Sequence, residues 1–348
     1  MTRRKNFGIV SSIMVTIYDI ARKTGFSAPT ISKALNGTGA LNGATRQKII
    51  QVAEEMGYKP NISARTLSTK KSNLIGVVYD DTGMNRGFAH PLFSVVLNRF
   101  REQVEYAGYD LVFLSRHSKM SYYAHSQYRS VDGVIIINPA TNDKSEFDEF
   151  ISSNMPRVST NTLFNGICTI ISDNEKGGYI AAENFIKKGH KKIAFLSAPH
   201  NGISSAPQER LAGFKKALCD YNIPFDEELY EESKLWNKSG AYEAFERLYN
   251  RRKDFTALFC ATDLLAFGVY EYAEKNGLKI PQDFSIIGFD DDAADALMTP
   301  HLTSFRQDAL RIADIASEMM LNQIAGLPVP EIVRCEAEFI ERQSVKCL

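Results

Sequence analysis

From Leu74 onward, short continuous apolar runs alternate with longer stretches whose apolar residues recur every three or four positions. "NLIGVVYD", "YDLVFLS", "VDGVIIIN", "CTIIS", "KKIAFLSA", "FTALFCATD" and "FSIIGFDD" have the length and β-branched content of buried strands. Between them, "PLFSVVLNRFREQVEYAG", "GGYIAAENFIKKG", "RLAGFKKALCDYN", "SGAYEAFERLYN" and "LLAFGVYEYAEKNG" have the period of amphipathic helices. Uninterrupted apolar strands alternating with such helices predict parallel sheets covered on both faces. The module occurs twice, and "LTSFRQDALRIADIASEMMLNQIAG" is long enough to return to the first half. Two doubly wound lobes joined by crossovers leave a cleft outside the carboxyl ends of their strands, where small ligands bind.

Before Leu74 the pattern is different. Thr16 is a good N-cap for "IYDIARKTG", whose Ile17, Ile20 and Ala21 share a face and which Gly25 stops. Ser27 caps a second helix, where Pro29 is tolerated because first-turn N–H groups have no intrahelical acceptor. Ile31, Ala34 and Leu35 form its buried stripe, and Asn36-Gly37 ends it. Asn42 caps a third helix, "GATRQKIIQVAEEMG". The first two, separated by a turn at Gly25, have helix-turn-helix proportions. Pro60 breaks the third helix, and "NISARTLS" can form one further turn that is too short to stand alone in water.

Charge sharpens this division. The whole chain is balanced, with 41 Lys/Arg against 41 Asp/Glu, so the basic excess of residues 1–73 is matched by an acidic remainder. A small basic head on an acidic body is expected where one end meets a polyanion. The five cysteines are scattered and show no metal-ligand spacing, which suits a reducing compartment; no metal and no cofactor is expected. The basic start "MTRRKNFGIVSSIM" lacks the apolar core of a signal segment, Met14 is an alternative start, and no run is long enough to span a bilayer. The expected location is the cytoplasm, at the nucleoid.

"VTIYDIARKTGFSAPTISKALNG", "TRQKIIQVAEEMGYKPNISARTLSTKKSNLIGVV", "DNEKGGYIAAENFIKKGHKKIAFL", "RLAGF" and "GLKIPQDFSIIGFDD", in this order, resemble the lactose-repressor/galactose-repressor (LacI/GalR) family of bacterial transcription regulators. The resemblance runs from about Val15 to the C-terminus. It implies an α/β protein: an all-α helix-turn-helix head plus hinge helix, then a two-lobed, doubly wound parallel-sheet body like that of periplasmic sugar-binding proteins. The expected divisions are a tail (1–13), the DNA-binding head (14–60), hinge helix and linker (61–73), and an effector-binding and dimerisation body (74–348). Within the body, lobe 1 is expected at about 74–175 with 305–334, and lobe 2 at about 176–304 with 335–348.

In such a head the first turn of the recognition helix enters the major groove, so its side chains must be short. By resemblance, Ala28 and Pro29 occupy the base-discriminating positions and offer only apolar contact, for example to a thymine methyl. Ser27, Thr30 and Ser32 suit phosphates and nearby edges, and Lys33 is the candidate reader of guanine O6/N7. Thr16, Tyr18, Asn36 and Thr45 are candidates for positioning on phosphate. The other reading of these residues is a solvated helix face. In the hinge, Asn61 is a cap and Ala64 and Leu67 share a face. The resemblance makes Leu67 a minor-groove wedge; ordinary packing of a linker leucine is the alternative.

For the cleft, the resemblance carries over Arg210 as a planar donor, Asp290 as an acceptor from hydroxyls, and Gln307 at the crossover. Thr262 stands where many relatives have Asn. Trp236, the sole tryptophan, is either a stacking platform or core. Phe88 and Phe93 rank low as ligand contacts, and Asp263, Asp291 and His190 read as structural. The function implied is a repressor that binds double-stranded operator DNA as a homodimer and responds to a small-molecule effector, a sugar or sugar derivative. A solute-binding receptor without DNA function is the alternative. No nucleophile elbow, phosphate loop or Cys/His pair supports an enzyme, and no leucine heptad supports a tetramer.

Overall fold

Thr16 opens the first helix by turning toward Asp19: the Asp19 carboxylate accepts from the Thr16 N–H at 2.9 Å and from its hydroxyl at 2.7 Å. In this computed structural model the described residues are 15–59, 71–80, 86–116, 120–139, 145–199 and 204–348. The tail and the hinge positions Asn61, Ala64 and Leu67 lie outside them. The chain divides into two units at Ser72/Asn73.

The first unit has α1 (Ile17–Thr24), α2 (Ala28–Leu35) and α3 (Gly43–Glu55). Gly25 takes φ 75° to end α1, a conformation that a Cβ disfavours. The Ser27 hydroxyl accepts from the Thr30 N–H, and Asn42 Oδ1 accepts from the Ala44 N–H, so each following helix is capped by its expected residue. Ile20, Ile31, Ala34, Ile49 and Ala53 form the core, one or two from each helix.

In the second unit, β1 (Leu74–Tyr79), β2 (Asp110–Leu114), β3 (Gly133–Asn138), β4 (Arg157–Ser159), β5 (Cys168–Ser172) and β11 (Ile332–Cys335) make a parallel sheet in the order β11-β5-β4-β3-β1-β2. Successive residues of β3 face opposite ways. Ile135 and Ile137 pack with α4 (Pro91–Tyr106) and α11 (Ala309–Ile324). Val134 and Ile136 pack with Tyr122 of α5 (Tyr122–Arg129) and Phe147 and Phe150 of α6 (Ser145–Ser152). The strand is therefore apolar throughout.

A second parallel sheet runs β7 (Tyr230–Glu232), β6 (Ile193–Ser197), β8 (Ala257–Cys260), β9 (Ser285–Ile287). Its core includes residues of α7 (Asn174–Lys187), α8 (Ala206–Asp220), α9 (Lys238–Arg251) and α10 (Asp263–Asn276). β10 (Ser304–Gln307) and β12 (Ala337–Ile340) form an antiparallel pair, and Phe305 joins this second core. The chain passes between the two sheets after β5, after β10 and after β11. These passages adjoin: the Asp173 N–H donates to Cys335 O at 2.7 Å, and the Ser172 hydroxyl donates to Gln307 Oε1 at 2.5 Å. All three lie at the β5/β11 edge of the first sheet, so that edge is the hinge and the cleft opens toward β1 and β2.

Candidate functional site

α2 presents a polar, open face. Ser27, Pro29 and Lys33 are exposed, while Ala28, Thr30, Ser32 and Asn36 are partly covered. The Ser27 and Thr30 hydroxyls lie 2.8 Å apart, and Asn36 Nδ2 donates to Ser32 Oγ at 3.3 Å. Those two pairs hold the small hydroxyls in place without covering Pro29 or Lys33. The Lys33 stem lies along Gly39, where an added Cβ would stand 3.2 Å from Lys33 Cδ. Arg46 holds the same loop by donating to Gly39 O at 3.2 Å. Tyr18 is 66% exposed, Thr16 is exposed, and Thr45 is partly covered in the first turn of α3.

Electrostatics favours an anion at this face. Arg22 pairs with Asp19 and Lys23 approaches Glu55, whereas Lys33, Arg46 and Lys48 form no ion pair among the described residues. No acid stands in the first turn of α2 or α3, so the partial positive charge of each N-terminus is uncompensated there.

In the body, Arg210, Trp236, Thr262, Asp290 and Gln307 line one cleft, together with groups from both sheets. The cavity volume is about 70 Å³, room for several waters. Arg210 stands on α8, which approaches α7 closely because both carry glycine at the contact. A Cβ on Gly178 would lie 1.9 Å from Arg210 O, and one on Gly213 would lie 1.8 Å from Glu175 O. This approach lets Arg210 Nε donate to Asn174 Oδ1 at 2.9 Å and Nη1 donate to Ala261 O. The guanidinium also stacks on Phe289 at 3.5 Å. Nη2 has no hydrogen-bond partner among the described residues. Burial pulls the Arg210 pKa down to about 10, so the group stays charged at neutral pH.

Asp290 follows β9 with φ 138°, a strained geometry for a side-chain-bearing residue that turns the chain out of the sheet. Gln307 Nε2 donates to its Oδ1 at 2.7 Å while Gln307 Oε1 accepts from Ser172, so one side chain ties Asp290 to the hinge. Burial, then the neighbouring Asp263 charge, pushes the Asp290 carboxyl up to about 7 against the pull of Arg210. Thr262 caps α10 by accepting from the Leu265 N–H at 3.3 Å, and Trp236 is partly buried against the second core. Trp236 thus packs against the second core and also lines the cleft.

Asp263 is buried beneath the cleft and accepts from Ser304 Oγ (2.7 Å) and the Asp292 N–H (3.0 Å). Asp291 pairs with Arg306 at 2.7 Å and with Arg342. His190 bridges Thr256 Oγ1 and Lys346 O at 2.9 and 3.0 Å, away from the cleft. Phe93, ranked low from the sequence, lines the cleft with His90 of the same "YDDTGMNRGFAHPLF" segment, which the sequence offers as a source of further contacts; Asn138 and Asn161, which sequence reasoning passed over, line it too. Asn138 ends β3 and Asn161 follows β4, so the rule that ligands sit beyond carboxyl ends of strands was the available signal.

Comparison with known proteins places these two sites in context. Residues 16–61 match the model for bacterial regulatory proteins of the lacI family, and residues 182–345 match a periplasmic binding protein-like domain. The chain is 30% identical over 338 residues to a probable HTH-type transcriptional repressor, ExuR, of Bacillus subtilis, covering 96% of this chain and 99% of that one. It is similar to the lac repressor dimer bound to operator and the anti-inducer ONPF, with TM-score 0.77, 25% identity, and coverage of 96% and 99%. It is also similar to a LacI family regulator from Enterococcus faecium with bound ribose, with TM-score 0.68, 26% identity, and coverage of 79% and 99%.

Proposed function

The chain belongs to the lacI family of bacterial regulatory proteins, and from that premise we propose that it is a repressor whose operator affinity is set by a carbohydrate held in the Arg210–Asp290 cleft. It is a DNA-binding transcriptional regulator, not an enzyme. It acts as a homodimer on a pseudo-palindromic operator, in the cytoplasm at the nucleoid. The first turn of α2 enters the major groove. There Ser27, Thr30 and Ser32 meet phosphates and edges, Ala28 and Pro29 exclude bulk, and Lys33 reads a guanine. Thr16, Tyr18, Asn36 and Thr45 position the head on the backbone. Asn61, Ala64 and Leu67 serve as the minor-groove element, on the resemblance alone.

One observation carries the ligand reading: an aromatic face, a planar donor and a carboxylate converge on a single small cavity between the sheets. A pyranose or furanose offers the complement, with an apolar ring face for Trp236 and hydroxyls for Asp290 and Arg210. The ligand acts through its differential affinity for two lobe arrangements, since binding both equally would shift nothing.

The test is fluorescence anisotropy of selected against random duplexes over a salt series, with and without ribose and a panel of hexoses. Affinity should fall steeply with salt as phosphate contacts release counterions. Arg210→Ala should keep duplex binding and lose the sugar response. No preference for any duplex over random DNA sinks the regulator, and an intact response in Arg210→Ala removes the cleft assignment.

A further inference from the structure

The loop that follows α2 folds back on it: the Thr38 N–H donates to Lys33 O at 3.1 Å, and the Gly37 N–H donates to Ala34 O at 3.4 Å. Gly37 and Gly39 both take left-handed backbone, with φ 70° and 74°. They differ in what a side chain would meet. A Cβ on Gly37 would stand in open space, whereas one on Gly39 would lie 3.2, 3.7 and 3.8 Å from Cδ, Cγ and Cε of Lys33. The Lys33 stem therefore runs along the one face of the loop that the missing side chain leaves clear. Gly39 is held in turn from α3, where Arg46 Nη2 donates to its carbonyl at 3.2 Å. Two glycines with the same backbone thus do different things: Gly37 turns the chain, and Gly39 also makes a track.

A lysine stem in solution is flexible, and a side chain that must be frozen on binding loses part of its interaction to that ordering. Confinement along Gly39 does some of the ordering before DNA arrives. We propose that Gly39, braced by Arg46, is a specificity-determining position of the head, which acts through Lys33 by fixing the course of its stem. Gly39 and Arg46 are positioning residues and need not touch a base. This role rests on the reading of Lys33 as the residue that meets a guanine. A Cβ at position 39 pushes Lys33 Cδ aside by a few tenths of an ångström, and the ammonium two bonds beyond swings with it.

Binding-site selection with the full chain decides this, and Lys33→Ala first identifies the guanine position. Gly39→Asn adds a Cβ while tolerating the left-handed backbone. It should lose about fivefold in preference at that position only, with the salt slope of the wild type. Gly37→Asn, the same change where a Cβ meets nothing, should keep the wild-type preference. Added to Lys33→Ala, Gly39→Asn should change that position no further, because both act through one side chain. Arg46→Met, which keeps an apolar stem and withdraws the donor, should weaken the same position. A Gly39→Asn loss spread over all duplexes, or an equal loss in Gly37→Asn, makes the turn itself the cause and overturns the proposal. An Arg46→Met loss equal on all duplexes, with a salt slope smaller by about one, makes Arg46 a phosphate contact and defeats the brace. If Lys33→Ala leaves every position unchanged, the guanine reading falls and the aiming role with it. If Lys33→Ala acts and Gly39→Asn does not, the guanine reading stands and only the role of Gly39 falls.

Discussion

Arg86 and Asp292 form a 2.6 Å ion pair that joins the two lobes, both side chains mostly covered. Arg86 belongs to the segment after β1, far along the sheet from the hinge edge, and Asp292 follows β9. Asp292 is itself fixed, because its N–H donates to Asp263 and its Oδ1 accepts from the Ala294 N–H. Arg334 on β11 pairs with Glu209 at 2.7 Å at the opposite edge. Two ion pairs thus bracket the cleft, one at the hinge and one at the mouth.

Breaking the mouth pair should favour the open lobes. Arg86→Ala is expected to enlarge the radius of gyration in small-angle scattering and to speed ligand dissociation several-fold. The double reversal Arg86→Asp with Asp292→Arg should recover part of the loss, through a coupling of about 1 kcal/mol. Additive single effects would mean that the pair does not hold the lobes.

Buried Asp295 has no N–H or hydroxyl donor at either oxygen among the described residues, and Arg342 comes only to 3.7 Å. Burial, then the Asp263 charge, raises its pKa well above the ordinary carboxyl range, which favours its protonated form in the folded chain. An acid raised in the folded state favours folding least where only the unfolded chain has ionised. Stability should therefore fall as pH rises above about 4, by at most about 1.4 kcal/mol per pH unit for this proton. Asp295→Asn should flatten the slope and raise stability more at pH 8 than at pH 5. Urea unfolding at those two pH values checks it, and parallel wild-type and variant profiles would contradict it.

The helix contact that seats Arg210 is made by Gly178 and Gly213. Alanine at either position places a methyl inside backbone of the facing helix, so α7 and α8 must separate. Gly213→Ala should cost about 3 kcal/mol or more and weaken the ligand response beyond the stability loss, because Asn174 and Arg210 part. Chemical denaturation together with Trp236 titration under native conditions measures both; an unperturbed affinity would separate the helix contact from the site.

For the head, Lys33→Ala should lose about 1–3 kcal/mol of discrimination at one guanine while other positions of the site keep theirs. Binding-site selection reads this directly. A uniform loss across sequences, with a smaller salt slope, would instead make Lys33 a phosphate contact.

Much of the fold was legible because its signals are local. Thr16, Ser27, Asn42 and Gly25 mark helix ends by side-chain chemistry alone, and β1, β3, β5, β6 and β8 are apolar on both faces. β4 and β7 escaped notice. Each spans three residues, and β7 is an edge strand of sequence YEE, which has no apolar pattern. α5 was hidden for a related reason: its buried positions are Tyr122, His125 and Ser126, not an aliphatic stripe.

In the cleft, Arg210, Asp290 and Gln307 came from motif resemblance, but Asn138 and Asn161 are single polar residues at strand ends. Nothing in their neighbours says that folding brings them together. The "GG" of α7 and the glycine of "RLAGF" were visible as a pattern. Their cause, backbone-to-backbone contact between two helices, needs the third dimension.

Three strand passages at one side of the first sheet also set how far the lobes can travel. β1 lies four strand spacings from β11, roughly 19 Å at about 4.8 Å each. A rotation of about 10° around the stitched side then displaces the far side by roughly 3 Å, more than a salt link tolerates. Slight adjustments where Ser172 meets Gln307 are thereby amplified by leverage, and a small tilt at the stitched side becomes a wide change of gape at the far one.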